Sequence, residues 1–275
     1  MSKEPRSQTD EGIGEELNQD RLVEGRDLTR ADERSYGLLV RAVRGTSNFL
    51  GPYGPPVLAL LPGAAIIAGM TAAFARVCES VLGGDGVAQL DHPALVAGKS
   101  LRSPAMDLIV TAYAYIGDTV GMLLLTLAAT IALTISRRTW TPAILILIAG
   151  TGSLLMTIAG KRLIGRTRPA PADAVPPFDY SPSFPSGHSL NSVVIVGIIA
   201  YLLVPRLKRT RSRVLTLCAA AMFAVTMGLS GVYLGHHWLT DVLGAGALGA
   251  AWLALIITAH CVYLALRKQR TPPPG

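Results

Sequence analysis

The chain has 275 residues, half of them apolar, with a mean hydropathy of +0.42. An ordinary soluble domain of this length is less apolar, so the composition predicts a membrane protein. The formal net charge is +7, but the basic residues stand at the ends of apolar segments instead of forming a continuous stripe, which argues against a nucleic-acid partner. The three cysteines are far apart and form no CxxC pair, which excludes a zinc knuckle and a redox motif of that kind.

The N-terminal region differs in composition from the rest of the chain. Residues 1–36 mix acidic and basic side chains and contain no apolar segment of the kind that a secretory signal peptide needs. Such a stretch buries too little apolar surface to fold by itself. We predict a disordered cytoplasmic leader over residues 1–40, a membrane domain over 41–268 and a C-terminal tail over 269–275.

Six apolar segments are long enough, or nearly so, to cross a bilayer as helices, which takes about 20 residues each. The fold class is therefore predicted to be all-α, a six-helix transmembrane bundle. A long polar connection follows the first span and is predicted to hold a short helix at the membrane interface. The predicted spans are 57–75, 116–135, 142–164, 186–204, 214–233 and 242–266.

Short loops rich in Lys and Arg face the cytoplasm in most membrane proteins. Such residues precede the first span and follow the second, fourth and sixth, so both termini are predicted to be cytoplasmic. One basic cluster breaks this rule, because it falls between the third and fourth spans on the extracytoplasmic side. Its members are Lys161, Arg162, Arg166 and Arg168.

This basic cluster ends directly before Pro169. Guanidinium and ammonium groups bind phosphate oxygens well, so the cluster predicts a site for a multiply charged anion. The alternative is contact with lipid headgroups, because basic side chains at the ends of spans commonly reach the interface.

A second polar segment, Pro185-Ser186-Gly187-His188, stands where the chain begins the fourth span. A helix start offers unpaired N–H groups and a positive dipole end, and glycine allows close approach of the backbone. The turn is thus suited to hold a phosphate while His188 acts as an acid or a base. The alternative is that Ser186 caps the helix and His188 rests at the interface.

The third polar segment, residues 233–241, begins the sixth span. His237 and Asp241 are four residues apart, which puts both on one face if the segment is helical. The carboxylate then holds Nδ1–H of the ring and leaves Nε2 free to attack phosphorus. The alternative is an aromatic belt at the interface, formed by Trp238 with two solvated histidines.

All three polar segments fall on the same predicted side of the membrane. In order and spacing they resemble the three-part signature of the PAP2 (type 2 phosphatidic acid phosphatase) superfamily. The matching segments are Lys161-x6-Arg168-Pro169, Pro185-Ser186-Gly187-His188 and Ser230-x6-His237-x3-Asp241. The resemblance implies an integral membrane lipid phosphatase that needs no metal and no other cofactor.

The resemblance also implies a role for each matching residue. Phosphate binding falls to Lys161, Arg168, Ser186 and Gly187. Catalysis falls to three residues: His188 protonates the leaving oxygen, His237 forms a phospho-histidine, and Asp241 orients His237. The implied partner is a lipid phosphate that reaches the site from the surrounding membrane lipids at the extracytoplasmic face. Polyprenyl diphosphate, phosphatidic acid and phosphatidylglycerol phosphate are all candidates.

One residue departs from the signature. The family's third segment normally begins Ser-Arg, whereas this chain has Ser230-Gly231. Loss of a charged donor aimed at developing negative charge costs roughly 100- to 1000-fold in rate. Arg162 and Arg166 are candidate replacements. Two alternatives to a hydrolase stay open: a phosphotransferase that passes phosphate from His237 to another lipid or a sugar, and a catalytically weak lipid-phosphate binding protein.

Three other polar residues receive lesser roles. Asp118 and Asn191 stand near the outer ends of the second and fourth spans, where a helix cap or an interhelical hydrogen bond is predicted for each. His236 is predicted to support the site without catalysing, because no carboxylate follows it four residues later.

Overall fold

The computed structural model describes residues 22–23, 26–27 and 54–270, with side chains from Leu60 to Arg267. Two strands of two residues each, β1 (Leu22–Val23) and β2 (Arg26–Asp27), pair antiparallel. Most of the predicted leader and the end of the predicted tail lie outside the described residues. The division into leader, membrane domain and tail therefore stays a prediction.

Most of the described part from residue 54 onward is helical, with a long loop between residues 165 and 186. A π-helical segment, Ser192–Val196, joins the short α-helices Gly187–Asn191 and Gly197–Leu203. Three short 3-10 segments lie in the connections, at Gly86–Leu90, Pro171–Asp173 and Val204–Arg206. The α-helices are α1 Gly54–Gly83, α2 Asp91–Ser100, α3 Pro104–Gly117, α4 Thr119–Arg137, α5 Thr141–Ile164, α6 Gly187–Asn191, α7 Gly197–Leu203, α8 Thr210–Tyr233 and α9 Leu239–Arg270.

In the part of the chain that the structure describes, six helical segments are long and apolar enough to cross a membrane, which confirms the predicted all-α, six-span fold. Their outward faces carry large apolar side chains, as lipid contact requires; Leu147 and Leu163 are 69% and 83% exposed. The spans are Leu60–Gly83, Thr119–Arg137, Thr141–Ile164, Gly187–Arg206, Thr210–Tyr233 and Leu239–Arg267. The first continues to Gly83, past the predicted end at residue 75.

The connection after the first span holds two helices, α2 and α3, where one was predicted. Ser103 begins α3: its side chain accepts a hydrogen bond from the Met106 N–H, and Pro104 fills the first helical position, where no donor is needed. At 14 residues, α3 is too short to span a bilayer, although it is apolar.

A sharp corner joins α3 to α4. Asp118, the residue between them, has an extended backbone, so the helix does not continue. A Cβ on Gly121 would lie 2.2 Å from the Tyr115 carbonyl oxygen, so only glycine allows the first turn of α4 to pass this close to α3. The second span consequently begins at Thr119, after the predicted start at residue 116.

The span made by α6 and α7 is the centre of the bundle. Four of its apolar residues recur at every fourth position and are at most 1% exposed, which defines one continuous buried face. They are Leu190, Val194, Ile198 and Leu202, and they pack with Leu145, Ile146 and Ala149 of α5 and Ala245 of α9. This packing fixes the start of α6 relative to its neighbours.

The two ends of the bundle differ in their polar groups. At one end, Arg206 donates hydrogen bonds to the side chain and carbonyl oxygen of Ser136, so the ends of α4 and of the central span lie side by side. At the other end α5 and α8 end and α6 and α9 begin. All three polar segments of the sequence lie at this second end.

Candidate active site

A cavity of about 210 Å³ opens at the polar end of the bundle. Three residues that were assigned to the site from the sequence lie on its wall: Arg168, His188 and His237. They come from separate parts of the chain, namely the loop after α5, the start of α6 and the turn between α8 and α9. The fold therefore brings one residue from each polar segment to a single cavity.

His237 is carried by a tight turn that begins where α8 ends. The Gly231 carbonyl accepts hydrogen bonds from the N–H groups of both His236 and His237, at 2.9 and 3.1 Å. Gly235 has a φ of +73°, and a Cβ there would lie 2.3 Å from the Asp173 carbonyl oxygen. The segment is a turn where a helix was considered, because α9 begins only at Leu239.

His237 and Asp241 still face each other across this turn. Nδ1 of His237 lies 3.4 Å from Oδ2 of Asp241, an ion-pair distance longer than a good hydrogen bond. Both residues are buried, with exposed fractions of 3% and 0%. Burial lowers the pKa of His237 below its ordinary value, and the Asp241 carboxylate opposes but does not reverse that shift. The ring is therefore neutral at pH 7.

Asp241 is held from its other side by Arg166. The guanidinium donates to Oδ1 of Asp241 at 2.8 Å and to the Thr240 hydroxyl at 2.7 Å, while its second nitrogen donates to Asp91 at 2.6 Å. Oδ2 of Asp241 accepts the Trp238 N–H at 2.9 Å. This network ties α2 to the first turn of α9 and fixes the orientation of the Asp241 carboxylate.

Arg168 lies at the centre of the loop after α5. Its Nη1 is 3.4 Å from Nε2 of His237 and donates to the His236 carbonyl oxygen, and its Nη2 donates to Asp179 at 2.6 Å. Burial raises the pKa of Asp179, but the Ser181 N–H and the charge of Arg168 outweigh it and hold that pKa below its ordinary value. A positive charge thus stands directly beside the free nitrogen of His237.

Lys161 lies beside this arginine but not on the cavity wall. Its Nζ donates to the Ser181 hydroxyl at 2.5 Å, and the same hydroxyl accepts a hydrogen bond from Arg168. Ser181 therefore brings together the two cations that the sequence analysis assigned to phosphate binding. Arg162, by contrast, is exposed and takes no part in the cavity.

Ser186 and Gly187 form the first turn of α6 without lining the cavity. Ser186 is the N-cap: its hydroxyl oxygen accepts the Ser189 N–H at 3.4 Å and the Ser189 hydroxyl at 3.0 Å. The turn packs against α5, where a Cβ on Gly160 would lie 2.4 Å from the Pro185 ring. This contact places the start of α6, and with it His188, at the cavity.

His188 faces His237 across the cavity. The two ring centroids are 6.5 Å apart and the rings are inclined by 63°. That separation leaves room between them for the oxygen-bearing group of a substrate. Within residues 60–267, no side chain makes a hydrogen bond to the His188 ring.

Gly231 lies against the ring of the proposed nucleophile. A Cβ at this position would be 3.3 Å from Cδ2 of His237, so the absent side chain leaves the ring uncovered. Neither replacement proposed from the sequence fills the gap. Arg166 is engaged by Asp91 and Asp241, and Arg162 lies outside the cavity.

Two carboxylates and one further histidine on the wall were not assigned to catalysis or phosphate binding: Asp118, Asp179 and His236. Asp118 occupies the predicted position between helices, as the N-cap residue of α4, but its side chain makes no capping hydrogen bond. A carboxylate between two apolar segments was the signal that could have placed it in a site. The companion prediction for Asn191 is confirmed: its side-chain oxygen accepts a hydrogen bond from Ser153 of α5.

The ring of His236, unlike that of His237, is engaged by a backbone carbonyl. Nε2 lies 2.7 Å from the Val175 carbonyl oxygen, which only accepts hydrogen bonds, so this nitrogen carries the proton. Burial lowers the pKa of His236, and the hydrogen bond to Val175 only partly offsets that shift. His236 therefore anchors the loop, and its Nε2 is not available as a nucleophile.

These features define an integral membrane protein of six spans with a buried histidine site at one end. The family model of the PAP2 superfamily matches residues 119–263, which is more than half of the chain. The chain therefore belongs to the PAP2 superfamily.

A curated protein and a solved structure, both from Bacillus subtilis, are similar to this chain. Phosphatidylglycerophosphatase B of strain 168 is 32% identical over 184 residues, which cover 66% of this chain and 89% of that protein. The crystal structure described as the first transmembrane PAP2 type phosphatidylglycerolphosphate phosphatase shares 27% identity and a TM-score of 0.64. That comparison covers 76% of this chain and 98% of the solved chain.

Proposed function

We propose that the protein is a membrane lipid phosphatase that hydrolyses a lipid phosphomonoester or diphosphate through a phospho-histidine on His237. Two kinds of observation support this proposal. The chain is a PAP2 protein, and the similar curated protein and solved structure from Bacillus subtilis are both named as phosphatases of phosphatidylglycerol phosphate. Phosphatidylglycerol phosphate is accordingly the first substrate to test, with phosphatidic acid and polyprenyl diphosphate beside it.

The position of His237 carries the proposal. Its Nδ1 faces the Asp241 carboxylate at 3.4 Å, while its Nε2 lies on the cavity side, 3.4 Å from Nη1 of Arg168. A neutral ring oriented in this way presents the lone pair of Nε2 to a phosphorus atom bound in the cavity. The carboxylate then stabilises the positive charge that the ring acquires as the N–P bond forms.

The leaving oxygen needs a proton when the P–O bond breaks. His188 stands on the opposite wall, 6.5 Å from His237 between ring centroids, and gives that proton as a general acid. In the second step neutral His188 takes a proton from water, the water oxygen attacks phosphorus, and the electron pair of the N–P bond returns to Nε2.

Phosphate charge is neutralised by Arg168, with Lys161 beside it through Ser181. The start of α6 adds the positive dipole end of the central helix, although the Ser186 hydroxyl already caps that helix. No cluster of three His, Cys, Asp or Glu side chains suited to a metal occurs among the described residues. We propose that these cations, and not a metal ion, stabilise the phosphate charge.

The reaction is proposed to occur at the extracytoplasmic face, with both termini in the cytoplasm. The basic segments that follow α4 and the central span lie together at the end opposite the cavity, as the positive-inside rule requires for a cytoplasmic end. A lipid substrate would then keep its tail in the bilayer while its phosphate lies in the cavity.

Gly231 favours a second candidate function, a catalytically weak lipid-phosphate binding protein. The cavity lacks the cation that the family usually supplies from this position, and Arg166 is held by two carboxylates. A single missing donor of this kind lowers the rate by roughly 100- to 1000-fold. Binding of lipid phosphate without turnover is therefore the outcome to set against hydrolysis.

Phosphate release in detergent tests the proposal. Purified protein is given each lipid phosphate with EDTA and no acceptor, and His237→Ala is compared with His92→Gln, a change at an exposed histidine outside the cavity. Release by the wild type and by His92→Gln, abolished in His237→Ala, supports a metal-independent hydrolase. Release only after an acceptor is added indicates a transferase, and binding without release indicates the second candidate.

A further inference from the structure

Asp179 lies between the catalytic cavity and a second cavity at the polar end of the bundle. The second cavity has a volume of about 290 Å³ and is lined mainly by the loop that follows α5. Both cavities have Phe178 and Asp179 of this loop on their walls, together with Arg168 and His236. The Asp179 carboxylate therefore borders the catalytic cavity, although the proposed reaction gives it no role.

The guanidinium of Arg168 contacts the protein through each of its nitrogens. Nε donates to the Ser181 carbonyl oxygen at 2.7 Å, and Nη1 donates to the His236 carbonyl oxygen at 2.5 Å. Nη1 also lies 3.4 Å from Nε2 of His237. Nη2 donates to Oδ2 of Asp179 at 2.6 Å and to the Ser181 hydroxyl at 3.2 Å. A phosphate that binds both terminal nitrogens as a fork must therefore displace an acceptor from Nη2.

Of the two acceptors on Nη2, Asp179 is the one that can leave. The Ser181 hydroxyl also accepts a hydrogen bond from Lys161 at 2.5 Å, so it is held from two sides. The side chain of Asp179 is 51% exposed, and it has a cavity on either side into which it can turn. Apart from Arg168, its printed hydrogen bonds go to the N–H and hydroxyl of Ser181 in the same loop. Displacement of Asp179 from Arg168 thus leaves the backbone of the site in place.

A carboxylate and a phosphate are bound by the same donors. Both groups carry negatively charged oxygens that accept N–H groups from a guanidinium. Asp179 is ionised near neutral pH, as an ordinary aspartate is. A phosphate that enters beside Asp179 therefore meets a charge of the same sign, and the two groups need the same nitrogen of Arg168. One of them must give way.

We propose that Asp179 is a positioning residue that competes with the substrate phosphate for Nη2 of Arg168 and is displaced when phosphate binds. This inference rests on the proposed phosphatase function, because it concerns the role of Arg168 in the same site. Before substrate enters, Asp179 holds Arg168 beside His237. Its charge lowers the affinity for the phosphate of the lipid and for the free phosphate that hydrolysis produces. When the product leaves, the carboxylate returns to Nη2.

Binding of inorganic phosphate tests this competition without turnover. Asp179→Asn removes the charge, while the side-chain oxygen can still accept the Ser181 N–H. In detergent, we expect calorimetry to show that Asp179→Asn binds inorganic phosphate on the order of tenfold more tightly than the wild type, the effect of one half-exposed charge nearby. A purely structural role of the ion pair predicts the opposite change, because a poorly held Arg168 binds phosphate less tightly.

Turnover of a lipid phosphate supplies the second readout and separates the lipid-borne phosphate from the free one. In Asp179→Asn, KM for the lipid should fall on the order of tenfold while kcat does not rise, because the carboxylate is displaced in the bound substrate and in the transition state alike. The matched control is Asp173→Asn. It removes a carboxylate of the same loop that pairs with Lys99 and lies on neither cavity wall, so the phosphate affinity and KM should stay unchanged.

Unchanged, weaker or unmeasurable binding of inorganic phosphate by Asp179→Asn would overturn the proposal, and so would a lipid KM that does not fall. Asp179→Glu, which keeps the charge, should bind phosphate as the wild type does. If Asp179→Asn does not fold, Asp179→Ser, which also removes the charge, takes its place. Failure of the phosphatase function itself is recognised separately: the wild type would then release no phosphate from lipid, and calorimetry would still decide the role of Asp179.

Discussion

Arg166 donates a hydrogen bond to Oδ1 of Asp241 at 2.8 Å, while Oδ2 of the same carboxylate faces Nδ1 of His237 at 3.4 Å. Asp241 is thus held between a permanent cation and the histidine that it orients. The other terminal nitrogen of Arg166, Nη2, donates a hydrogen bond to the buried Asp91. Arg166 therefore holds the carboxylate that orients His237, and it does not replace the arginine missing at position 231.

Removal of this arginine should destabilise the protein. Arg166→Gln leaves Asp91 and Asp241 buried without their cation, and loss of one partner of a buried pair costs about 3–5 kcal/mol. The free energy of unfolding in detergent should fall by that amount, and kcat should fall with it. Arg162→Gln, at an exposed position of the same basic cluster, is the matched control. Equal stability of the two variants would show that the network contributes nothing.

Activity should persist into mildly acidic solution. Because burial lowers the pKa of His237, the ring stays neutral and nucleophilic below pH 6.5, the ordinary histidine value. We therefore expect kcat to fall on the acid side only below pH 6.5. The parameter measured is kcat, because it refers to the enzyme–substrate complex and does not depend on ionisation of the phosphate of free substrate. In the same range the unfolded chain takes up a proton that the folded state does not, so stability falls as pH falls. An acid limb at or above pH 6.5 would contradict the assigned burial effect.

Gly231 allows a direct test of the missing cation. Gly231→Ala adds only a Cβ, 3.3 Å from Cδ2 of His237, and should lower kcat slightly by displacing the ring. Gly231→Arg adds the same Cβ together with a guanidinium. Relative to Gly231→Ala, it should raise kcat/KM on the order of 100-fold, the worth of one charged donor. If kcat/KM of Gly231→Arg does not exceed that of Gly231→Ala, the cavity does not need a further cation at position 231.

Membrane orientation can be measured by labelling. Tyr180 is 86% exposed in the loop beside the cavity, and Ser212 lies at the start of α8 near the opposite end. With the three native cysteines replaced, Tyr180→Cys in intact cells should react with a membrane-impermeant maleimide. Ser212→Cys should react only after the cells are opened. The reverse pattern would place the cavity in the cytoplasm.

The six spans were predictable because apolar length alone identifies a helix that crosses a bilayer. The corner at Asp118 was not, because apolar residues continue on both sides of it and a single longer span fits the same pattern. Its position depends on the close packing of Gly121 against Tyr115, a contact between two helices. Consequently Asp118 was interpreted as a cap, and its place on the cavity wall was missed.

The site, like the fold, was predictable in part. Alternation of the spans placed three polar segments at one end, which made the meeting of Arg168, His188 and His237 predictable. The four cations of the first segment look equivalent in the sequence. Only the fold sets Arg166 opposite Asp91 and Asp241, and Arg168 beside His237. Long-range packing between α2, the loop after α5 and α9 decides between these roles.

The central claim is that phosphate passes through a covalent bond to His237. Wild-type protein and a His188→Ala variant are mixed with phosphate-labelled lipid substrate, quenched in base, which preserves phosphohistidine, and mapped by mass spectrometry. The account predicts a phosphoryl group on the peptide that contains His237, absent in His237→Ala and longer-lived in His188→Ala, where water is not activated. Phosphate release by His237→Ala at the wild-type rate, or a phosphoryl group on His236 or His188 instead, would contradict it.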